Sequence, residues 1–380
     1  MTEGKAMKTY HFQGEEMVPS PALIYYRDGI EKNINHAIAM AGGADRLWPH
    51  VKSHKMAEVV KMQVEMGIKR FKCATIVEAE MAARAGGEHI LLAYPLVGPN
   101  QGRFLDLVNR WPEKKFYAIG DEKGQIRELA VKAEQQGVTV NFCVDVNTGM
   151  NRTGVKVDCL CDFYKALKGI KGLRLTGFHC YDGNRHEKDL KERSERVMGT
   201  MEELRLEIGK MSGWNEKPLM IMGGSPTFPC YAEEMREAFV YYSPGTVFIY
   251  DAGYREQFPD LNFEPAAAIL VRVVSHPDRG YFTIDCGYKA ISAEQIYQGV
   301  LIDVQHAFPL FQSEEHWTFQ MEEGYEDKRP RVGQILYVLP WHICPTTALY
   351  ESAVVVNHKR IEGMWSVCAR NRLEEKHRDR

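Results

Sequence analysis

The sequence predicts an α/β protein in which a (β/α)8 TIM-type barrel is followed by a second, all-β C-terminal domain. From about residue 20 to residue 250, short β-rich runs alternate with amphipathic helical runs. After about residue 255, strand-like runs follow one another with no clear helix between them. A doubly wound open sheet would show the same alternation, but a count of about eight strands favours the barrel.

The strand candidates of the barrel are short runs bounded by polar or turn residues. They are ALIYY (22–26), RLWPHV (46–51), RFKCAT (70–75), HILLAY (89–94), KFYAIG (115–120), VTVNFCVDV (138–146), LRLTGFHC (173–180) and LMIMGG (219–224). Between several of them lie runs with apolar residues at the three-to-four spacing of a helix with one buried face. Gly67, Gly86 and Gly137 stand where three of these helices should end.

The C-terminal domain is predicted from consecutive β-runs separated by turn residues. The segment 263–292 contains two such runs joined at 277–280, and 333–345 and 351–370 add further ones. We therefore expect a barrel domain over 20–255 and a β domain over 256–380. Residues 1–19 can join the β domain because they precede the first barrel strand.

The bulk composition excludes several classes of function. The 380 residues carry a formal net charge of -3 with acids and bases mixed along the chain, which argues against a nucleic-acid or membrane-surface partner. No signal-peptide pattern opens the sequence, and no run approaches the ~18 apolar residues of a membrane helix. The nine cysteines are scattered and are expected to be reduced thiols. A cytoplasmic protein acting on a small molecule is the expectation.

Five groups of polar residues fall at the C-terminal ends of barrel strands, where barrels of this kind carry out chemistry. In the first, Pro49–Lys55, Lys52 lies between His50 and His54. Burial and neighbouring cations lower the pKa of a lysine and free its amine for Schiff-base chemistry. A lysine at the edge of a strand is an equally good explanation of this segment alone.

The next two groups follow the sixth and seventh strand candidates. Arg152, in the polar segment 145–154, would offer a planar fork of donors to an anionic oxygen. His179 and Tyr181 are two apart at a strand end and should project to the same side. An ordinary turn and a satisfied core histidine are the alternatives.

The last two groups are glycine-containing turns that suit a phosphate. Small residues let backbone N–H groups approach phosphate oxygens, and hydroxyls add donors. The turn 223–227 follows the eighth strand candidate, and the turn 243–246 follows later in the chain. The candidate residues are Gly224, Ser225, Thr227, Gly245 and Thr246.

The β domain contains one candidate metal-binding segment, Pro340–Thr346. His342 and Cys344 are two apart, and on an extended segment they would share a face, as two ligands of one zinc-like ion would. Two protein ligands leave coordination positions for water or substrate. A buried pair beneath a proline turn is the alternative, and the cluster 313–316 reads as a second polar site or a solvated loop.

Seven segments in this order resemble the D-threonine aldolase and D-serine dehydratase family of alanine-racemase-like (fold type III) pyridoxal-phosphate (PLP) enzymes. The resemblance extends from Ala22 to about Val356. The segments are PHVKSHK (49–55), DVNTGMNRTGV (145–155), GGSPT (223–227), SPGTVFIYD (243–251), DCGYKAIS (285–292), SEEH (313–316) and HICPT (342–346).

The resemblance assigns roles to the candidate residues. It implies that Lys52 rather than Lys55 carries PLP, that Arg152 lies beside the ring oxygen, and that Tyr181 approaches the ring-nitrogen side. It implies that Gly224, Ser225, Gly245 and Thr246 cup the phosphate, and we add His50, His179 and Thr227 to the cofactor-binding set. It further implies that His342 and Cys344 bind a divalent metal (Zn, Mn, Mg or Co). Lys52, Arg152 and His342 are the expected catalytic residues.

The activity implied is that of a PLP- and metal-dependent lyase acting on a small-molecule D-amino acid. The first expectation is retro-aldol cleavage of a D-β-hydroxy amino acid, and the second is dehydration of D-serine or 3-hydroxy-D-aspartate. An amino-acid racemase or a non-catalytic PLP-binding protein remains a further alternative. Members of the family form head-to-tail homodimers. Trp48 and Trp341 depart from the usual motif and could alter the substrate pocket.

Overall fold

The computed structural model describes residues 9–212 and 217–372. Its contacts define two compact units. The β unit contains the described residues up to Lys32 together with Ile249–Glu256 and Phe263–Val367. The barrel unit contains Asn33–Phe248, Gln257–Asn262 and the described residues from Cys368 onwards. The expected division at residue 255 follows chain order, whereas these units interleave along the chain.

The helices and strands are numbered here in chain order. The strands are β1 (Ala22–Tyr26), β2 (Arg70–Cys73), β3 (His89–Leu92), β4 (Lys115–Gly120), β5 (Val140–Asn147), β6 (Val155–Lys156), β7 (Leu173–Tyr181), β8 (Leu219–Met222), β9 (Val240–Tyr242), β10 (Ala267–Ser275), β11 (Tyr281–Ile284), β12 (Gly299–Ile302), β13 (Ala307–Gln312), β14 (Trp317–Met321), β15 (Ile335–Pro340), β16 (Ser352–Asn357) and β17 (Arg360–Ser366). The helices are α1 (Arg27–Ala41), α2 (Ala57–Glu65), α3 (Ile76–Arg84), α4 (Pro99–Arg110), α5 (Lys123–Gln135), α6 (Leu160–Leu167), α7 (Leu190–Gly209), α8 (Phe228–Glu234), α9 (Ala252–Gln257) and α10 (Ile343–Leu349).

The barrel unit is built on a parallel sheet in the order β2-β3-β4-β5-β7-β8-β9, with the short β6 beside β5. The segment 47–50 lies between its two ends, because Leu47 bridges Tyr242 of β9 and His50 bridges Lys72 of β2. The predicted barrel is therefore confirmed. The strand expected over 46–51 is reduced to these two bridges, since Pro49 has no N–H to donate and the chain turns into a 3-10 helix at Val51–Ser53.

The first predicted barrel strand is wrong in its placement. The run Ala22–Tyr26 is a strand, but it pairs antiparallel with β10 and parallel with β16, and so belongs to the β unit. The eighth barrel position falls instead to β9, Val240–Tyr242, which was not predicted. A buried apolar run looks the same in either sheet, and three residues are too few to show a period.

Three helices of the barrel unit end at the glycines that the sequence predicted, whereas the start of α3 at Thr75 was not predicted. Thr75 caps α3 by accepting a hydrogen bond from the N–H of Glu78 at 3.1 Å. Gly67, Gly86 and Gly137 have φ values of 92°, 107° and 70°, in the left-handed region that favours glycine after a helix. Local chemistry therefore fixes these boundaries.

Trp48 fills the interior of the barrel. It is fully buried, and its Nε1 donates to the carbonyl oxygen of Phe71 at 2.8 Å. Its ring meets those of Tyr117 and Tyr241 edge-on, with centroids 5.3 and 5.5 Å away. In the core it packs with Leu91, Tyr117, Ile119, Cys143 and Ile221. This placement gives the Trp48 departure a role in packing the barrel core.

The β unit is a nine-stranded sheet with the path β13-β14-β11-β10-β1-β16-β17, and β15 pairs with both β10 and β12. Tyr10, Phe12 and Val18 lie in one of its hydrophobic clusters, so the described residues before β1 belong to it. The expectation of an all-β domain is confirmed at the level of the sheet. The expectation of no helix is wrong at Ile343–Leu349. Within the described ranges, no helix is both long and apolar enough to span a membrane.

Candidate functional site

The structure separates the two lysines of the first motif. Lys52 sits in the turn Val51–Ser53, and its Nζ lies 5.9 Å from the centre of the Tyr181 ring. None of the described carboxylates pairs with that amine. Lys55, by contrast, forms an ion pair with the buried carboxylate of Glu78, which also accepts a hydrogen bond from the N–H of Ala74 at 2.6 Å. Lys52 is thus the amine left available for a ligand.

Tyr181, at the end of β7, is the centre of a cluster of cations. Arg152 Cζ lies 4.9 Å from the centre of its ring, and Lys72 Nζ lies 5.5 Å away. Two glycines make room for the ring. A Cβ on Gly224 would be 2.9 Å from Tyr181 Cε2, and one on Gly183 would overlap the Tyr181 hydroxyl. Glycine is required at both positions because any side chain would displace the ring.

Asp145 and His179 form a buried pair on the neighbouring strands β5 and β7. The Nδ1 of His179 lies 2.8 Å from Asp145 Oδ1, and the remaining atoms, His179 Nε2 and Asp145 Oδ2, have no hydrogen-bond partner among the described residues. Burial lowers the pKa of His179, although Asp145 opposes the change. Buried polar atoms without partners are rare, and here they mark a place for a ligand.

The turn after β8 is organised around the carboxylate of Asp182. The hydroxyl of Thr227 donates to Asp182 Oδ1 at 2.7 Å, and the Tyr231 hydroxyl donates to Oδ2 at 2.7 Å. The N–H of Gly224 in turn donates to Thr227 Oγ1 at 3.1 Å. Thr227, predicted to bind the cofactor, therefore uses its hydroxyl to hold this turn in shape.

The two glycine turns meet in the barrel unit. The N–H of Gly245 donates to Ser225 Oγ at 3.2 Å, and a Cβ on Gly245 would lie 3.2 Å from the backbone oxygen of His50. Thr246 is buried and opens a 3-10 helix over Thr246–Phe248. The structure thus brings the first, fourth and fifth sequence groups together.

Lys72 is a residue that the motifs did not reveal. It lies within β2, its side chain is only 2% exposed, and its amine faces the same ring as that of Lys52. Burial and the charge of Lys52 lower the pKa of Lys72 to about 7. Burial, followed by Lys52 and Lys72, likewise holds the pKa of His50 well below its usual range. The signal in the sequence was a lysine within a run predicted to be a buried strand.

These features fit PLP, an aromatic aldehyde that carries a phosphate. A free lysine amine meets the aldehyde chemistry, Arg152 and Lys72 meet the negative charge, and glycine turns allow close backbone approach. Asp145 Oδ2 and His179 Nε2, which have no hydrogen-bond partner among the described residues, are available to contact such a group. The chemistry and spacing of these residues are those that the resemblance implies.

A cavity of the barrel unit lies away from these residues. Its volume is ≈ 660 Å³, and it opens where the strands begin, between His89, Lys115, Asn141, Leu173 and Leu219. None of the predicted site residues lines it. The bottom face of a barrel contributes to stability, whereas chemistry is found where the strands end. We therefore assign the candidate site to the opposite end.

The second candidate cluster belongs to the β unit and surrounds His342. The expectation of an extended segment is wrong, because His342 is the N-cap of α10 and Cys344 lies inside that helix. Cys344 is nevertheless close enough to act on the His342 ring electrostatically. Burial by itself would lower the pKa of His342, but Cys344, Asp251 and Glu294 raise it to about 9. His342 itself keeps an extended backbone at the N-cap, with φ of -131° and ψ of 101°, so its ring is not bound to the spacing of helical side chains.

Asp251 fixes the start of that helix. Its Oδ2 accepts from the N–H of Ile343 at 3.1 Å and its Oδ1 from the N–H of Tyr254 at 2.9 Å, while burial raises its pKa to about 6. Gly253 approaches Trp341 so closely that a Cβ would overlap the Trp341 carbonyl oxygen. These contacts explain why the aspartate and the glycine are needed beside His342.

His342 and Cys344 are the two side chains expected to bind a metal. Imidazole and thiol are ligands that zinc prefers, so His342 and Cys344 suit a metal by their chemistry. His342 Nδ1, however, is hydrogen-bonded to the carboxylate of Glu294. Over residues 9–212 and 217–372, no group of three or more His, Cys, Asp or Glu side chains is arranged to hold a metal ion.

Two other motifs of the β unit are brought together. Lys289 Nζ lies 2.6 Å from Glu314 and 3.1 Å from Glu315. A Cβ on Gly287 would overlap the backbone of Glu314. The segments 285–292 and 313–316 therefore pack against each other, and the polar cluster 313–316 has a structural role in joining them.

Comparison with known proteins identifies full-length relatives. The chain is 25% identical over 367 residues to the D-threonine aldolase of Arthrobacter sp, covering 93% of each sequence. It is 25% identical over 374 residues to the 3-hydroxy-D-aspartate aldolase of Paracoccus denitrificans (strain Pd 1222), covering 94% of each. The crystal structure of D-threonine aldolase from Filomicrobium marinum superposes with a TM-score of 0.83 at 26% identity, over 93% of this chain and 96% of that one.

Family models account for both parts of the chain. Residues 26–250 match "Alanine racemase, N-terminal domain", and residues 266–356 match "Putative serine dehydratase domain". The resemblance inferred from the motifs is confirmed, and the family implies PLP as the cofactor. The chain belongs to the alanine-racemase-like family, with an N-terminal barrel domain of that kind joined to a domain of the serine dehydratase type.

Proposed function

We propose that this protein is a PLP- and metal-dependent lyase that cleaves D-β-hydroxy amino acids such as D-threonine to glycine and an aldehyde. The observation that carries the proposal is the amine of Lys52, which faces Tyr181 among cations with no described carboxylate paired to it. Similarity to a D-threonine aldolase and a 3-hydroxy-D-aspartate aldolase over nearly the whole chain supports this choice of reaction.

The barrel unit supplies the residues that would hold the cofactor. PLP, when bound, supplies an electron sink for breaking a bond at the substrate α-carbon. Lys52 would hold it through its amine, and Arg152 would bind an anionic oxygen through its planar donors. Gly224, Ser225 and Gly245 would bind the phosphate through a turn that the Thr227–Asp182 hydrogen bond keeps in shape.

The Asp145–His179 pair would orient the bound group. A carboxylate accepting from Nδ1 fixes the tautomer of a neutral imidazole and leaves Nε2 as an acceptor. Because burial lowers the pKa of His179, the ring stays neutral near pH 7. The pair thus presents His179 Nε2 and Asp145 Oδ2 as fixed acceptors for a donor on the cofactor or substrate.

The metal is the second part of this proposal. His342 and Cys344 would hold a divalent ion, for which Zn, Mn, Mg and Co are the candidates. Such an ion polarises an oxygen ligand and makes its proton more acidic. Asp251 would keep the N-terminus of α10, and with it both ligands, in place.

One observation favours a second reaction on the same residues. The match of residues 266–356 to a serine dehydratase domain is compatible with elimination of the β-hydroxyl, which would give a 2-oxo acid and ammonia. D-serine and 3-hydroxy-D-aspartate are the substrates to test for it. A racemase or a non-catalytic PLP-binding protein would release neither glycine nor a 2-oxo acid.

A product assay separates these reactions. PLP-loaded enzyme is incubated with D-threonine, D-serine or 3-hydroxy-D-aspartate, with and without a chelator, and L-threonine and Lys52→Ala serve as controls. We expect glycine and acetaldehyde from D-threonine, loss of product with the chelator, and none from the variant. Pyruvate from D-serine would assign the dehydratase. Inversion of the α-carbon alone, unaffected by the chelator, would overturn the lyase proposal.

We also propose that the protein is a homodimer. Several apolar side chains of the β unit are exposed, among them Ile296 at 90% and Phe311 at 61%. Large exposed apolar side chains are compatible with coverage by a second copy. Sedimentation or light scattering should give a mass near twice that of the 43.5 kDa chain, and a monomer at micromolar concentration would refute this.

A further inference from the structure

Lys72 occupies a position in β2 where an apolar side chain would be expected. Its neighbours Phe71 and Cys73 are fully buried, and its backbone N–H donates to the carbonyl oxygen of Pro49 at 2.7 Å. Because successive side chains of a strand point to opposite faces, Phe71 faces the surrounding helices when Lys72 faces the barrel interior. The amine therefore reaches the inside of the barrel beside Tyr181, whereas Arg70, which shares that face of the strand, lies over the ring of Tyr241 at 4.7 Å.

The surroundings of the Lys72 amine do not neutralise it. Lys52 and Arg152 face the same Tyr181 ring, so two further positive charges are close. Of the acids that act on it, Asp145 is bound to His179 and Asp182 to two hydroxyls. Within the described part of the chain, the amine has no salt bridge or hydrogen bond. Burial lowers the pKa of Lys72 to about 7, as expected for such an amine.

Packing alone does not explain a lysine at this position. Burying an ionisable group without a partner is costly, whereas methionine or leucine would fill the same volume at no such cost. The same interior holds two more unpartnered atoms, His179 Nε2 and Asp145 Oδ2. An amine and two acceptors directed into one space indicate a ligand that is both anionic and capable of donating hydrogen bonds.

We propose that Lys72 is a second ligand-binding amine of the barrel site, which donates hydrogen bonds to an anionic oxygen of the group bound at Lys52. The inference rests on the proposed function, because it takes Lys52 as the attachment point. The oxygen belongs either to PLP or to the carboxylate of the amino-acid substrate, since both would lie within the same cluster of cations. The role is one of binding and positioning.

The test uses the purified full-length protein and two variants. Lys72→Met removes the donors and keeps the volume, and Lys72→Gln keeps a donor and removes the charge. Lys69→Met is the matched control, because Lys69 precedes the same strand but pairs with Glu88 at the surface. We measure the Kd for PLP, its visible absorption maximum and its attachment site after borohydride reduction.

Two arms identify the source of the oxygen. If it belongs to PLP, Lys72→Met should raise the Kd for PLP about tenfold or more, with the attachment still at Lys52 and the absorption maximum shifted. If it belongs to the substrate, PLP binding should be unchanged, and KM for a D-amino acid at saturating PLP should rise by a similar factor. Lys72→Gln should fall between, and Lys69→Met should match the wild type.

The inference and the proposed function fail in different ways. A wild-type protein that binds no PLP at Lys52 would overturn both. Normal attachment at Lys52, with Lys72→Met unchanged in Kd, spectrum and KM, would overturn only the role of Lys72. If the variants do not fold, the wild-type protein is acetylated with and without PLP and substrate, and the labelling of each lysine is compared. The ligands together should protect Lys72 but not Lys69. Labelling of Lys72 that is the same with and without the ligands would overturn the inference.

Discussion

The amine of Lys72 should make the stability of the cofactor-free protein depend on pH in a way that Lys72→Met abolishes. Burial and Lys52 lower the pKa of Lys72 from 10.5 to about 7. The unfolded chain therefore binds a proton at this position that the folded chain does not bind between these two values. The stability that the neutral Lys72 amine contributes to the folded protein is fully present above pH 10.5. It decreases as the pH falls, because the unfolded chain takes up the proton first, and it is fully lost once the pH is below about 7.

The expected magnitude follows from the same pKa values. Each pH unit in this window changes the free energy of unfolding by about 1.4 kcal/mol for one proton. Between pH of about 7.5 and 9, the free energy of unfolding of the wild type should therefore rise by about 2 kcal/mol relative to that of Lys72→Met. The groups that act on Lys72 (Lys52, Arg152, Asp145 and Asp182) are present in both proteins. The difference between the two proteins therefore reports on the charge at position 72.

The assay is urea denaturation of both apoproteins at several pH values, followed by circular dichroism. At pH of about 7 the variant should be the more stable protein, because it buries no unpaired amine. Its advantage should shrink as the pH rises. A difference in unfolding free energy that stays constant across this range would show that Lys72 keeps an ordinary pKa, and the reasoning would be refuted.

Three further substitutions test the architecture of the two units. Gly183→Ala should displace the ring of Tyr181 and weaken PLP binding at least tenfold, as measured by titration, with little change in helix content by circular dichroism. Unchanged PLP binding would contradict the close packing of Gly183 against the ring. Asp182→Ala should cost about 2–4 kcal/mol in urea denaturation, because two buried hydroxyls lose their acceptor; a cost below about 1 kcal/mol would rule that network out. Gly253→Ala should lower Tm, because its Cβ overlaps the Trp341 carbonyl oxygen; an unchanged Tm would contradict that contact.

The motifs predicted which residues meet in the barrel unit, but not what each one does there. Thr227 was expected to bind phosphate, yet its hydroxyl is held by Asp182. Lys52 was preferred over Lys55 by resemblance alone, and the Lys55–Glu78 ion pair now provides a physical reason. Lys72 belongs to no turn motif, and only its direction within β2 shows that its amine faces the Tyr181 ring. A side chain's partners depend on strands that are remote in sequence.

The sequence by itself determined the barrel, the glycines that end three of its helices, the sheet-rich second unit and the family. Local periodicity, glycines with left-handed φ and short motifs predict these features. Only the tertiary structure decided that Ala22–Tyr26 joins the β sheet and that 47–50 closes the barrel through two bridges. It also decided that His342 caps a helix in which Cys344 lies. Strand pairing and side-chain partners come from contacts between distant segments, which no local pattern records.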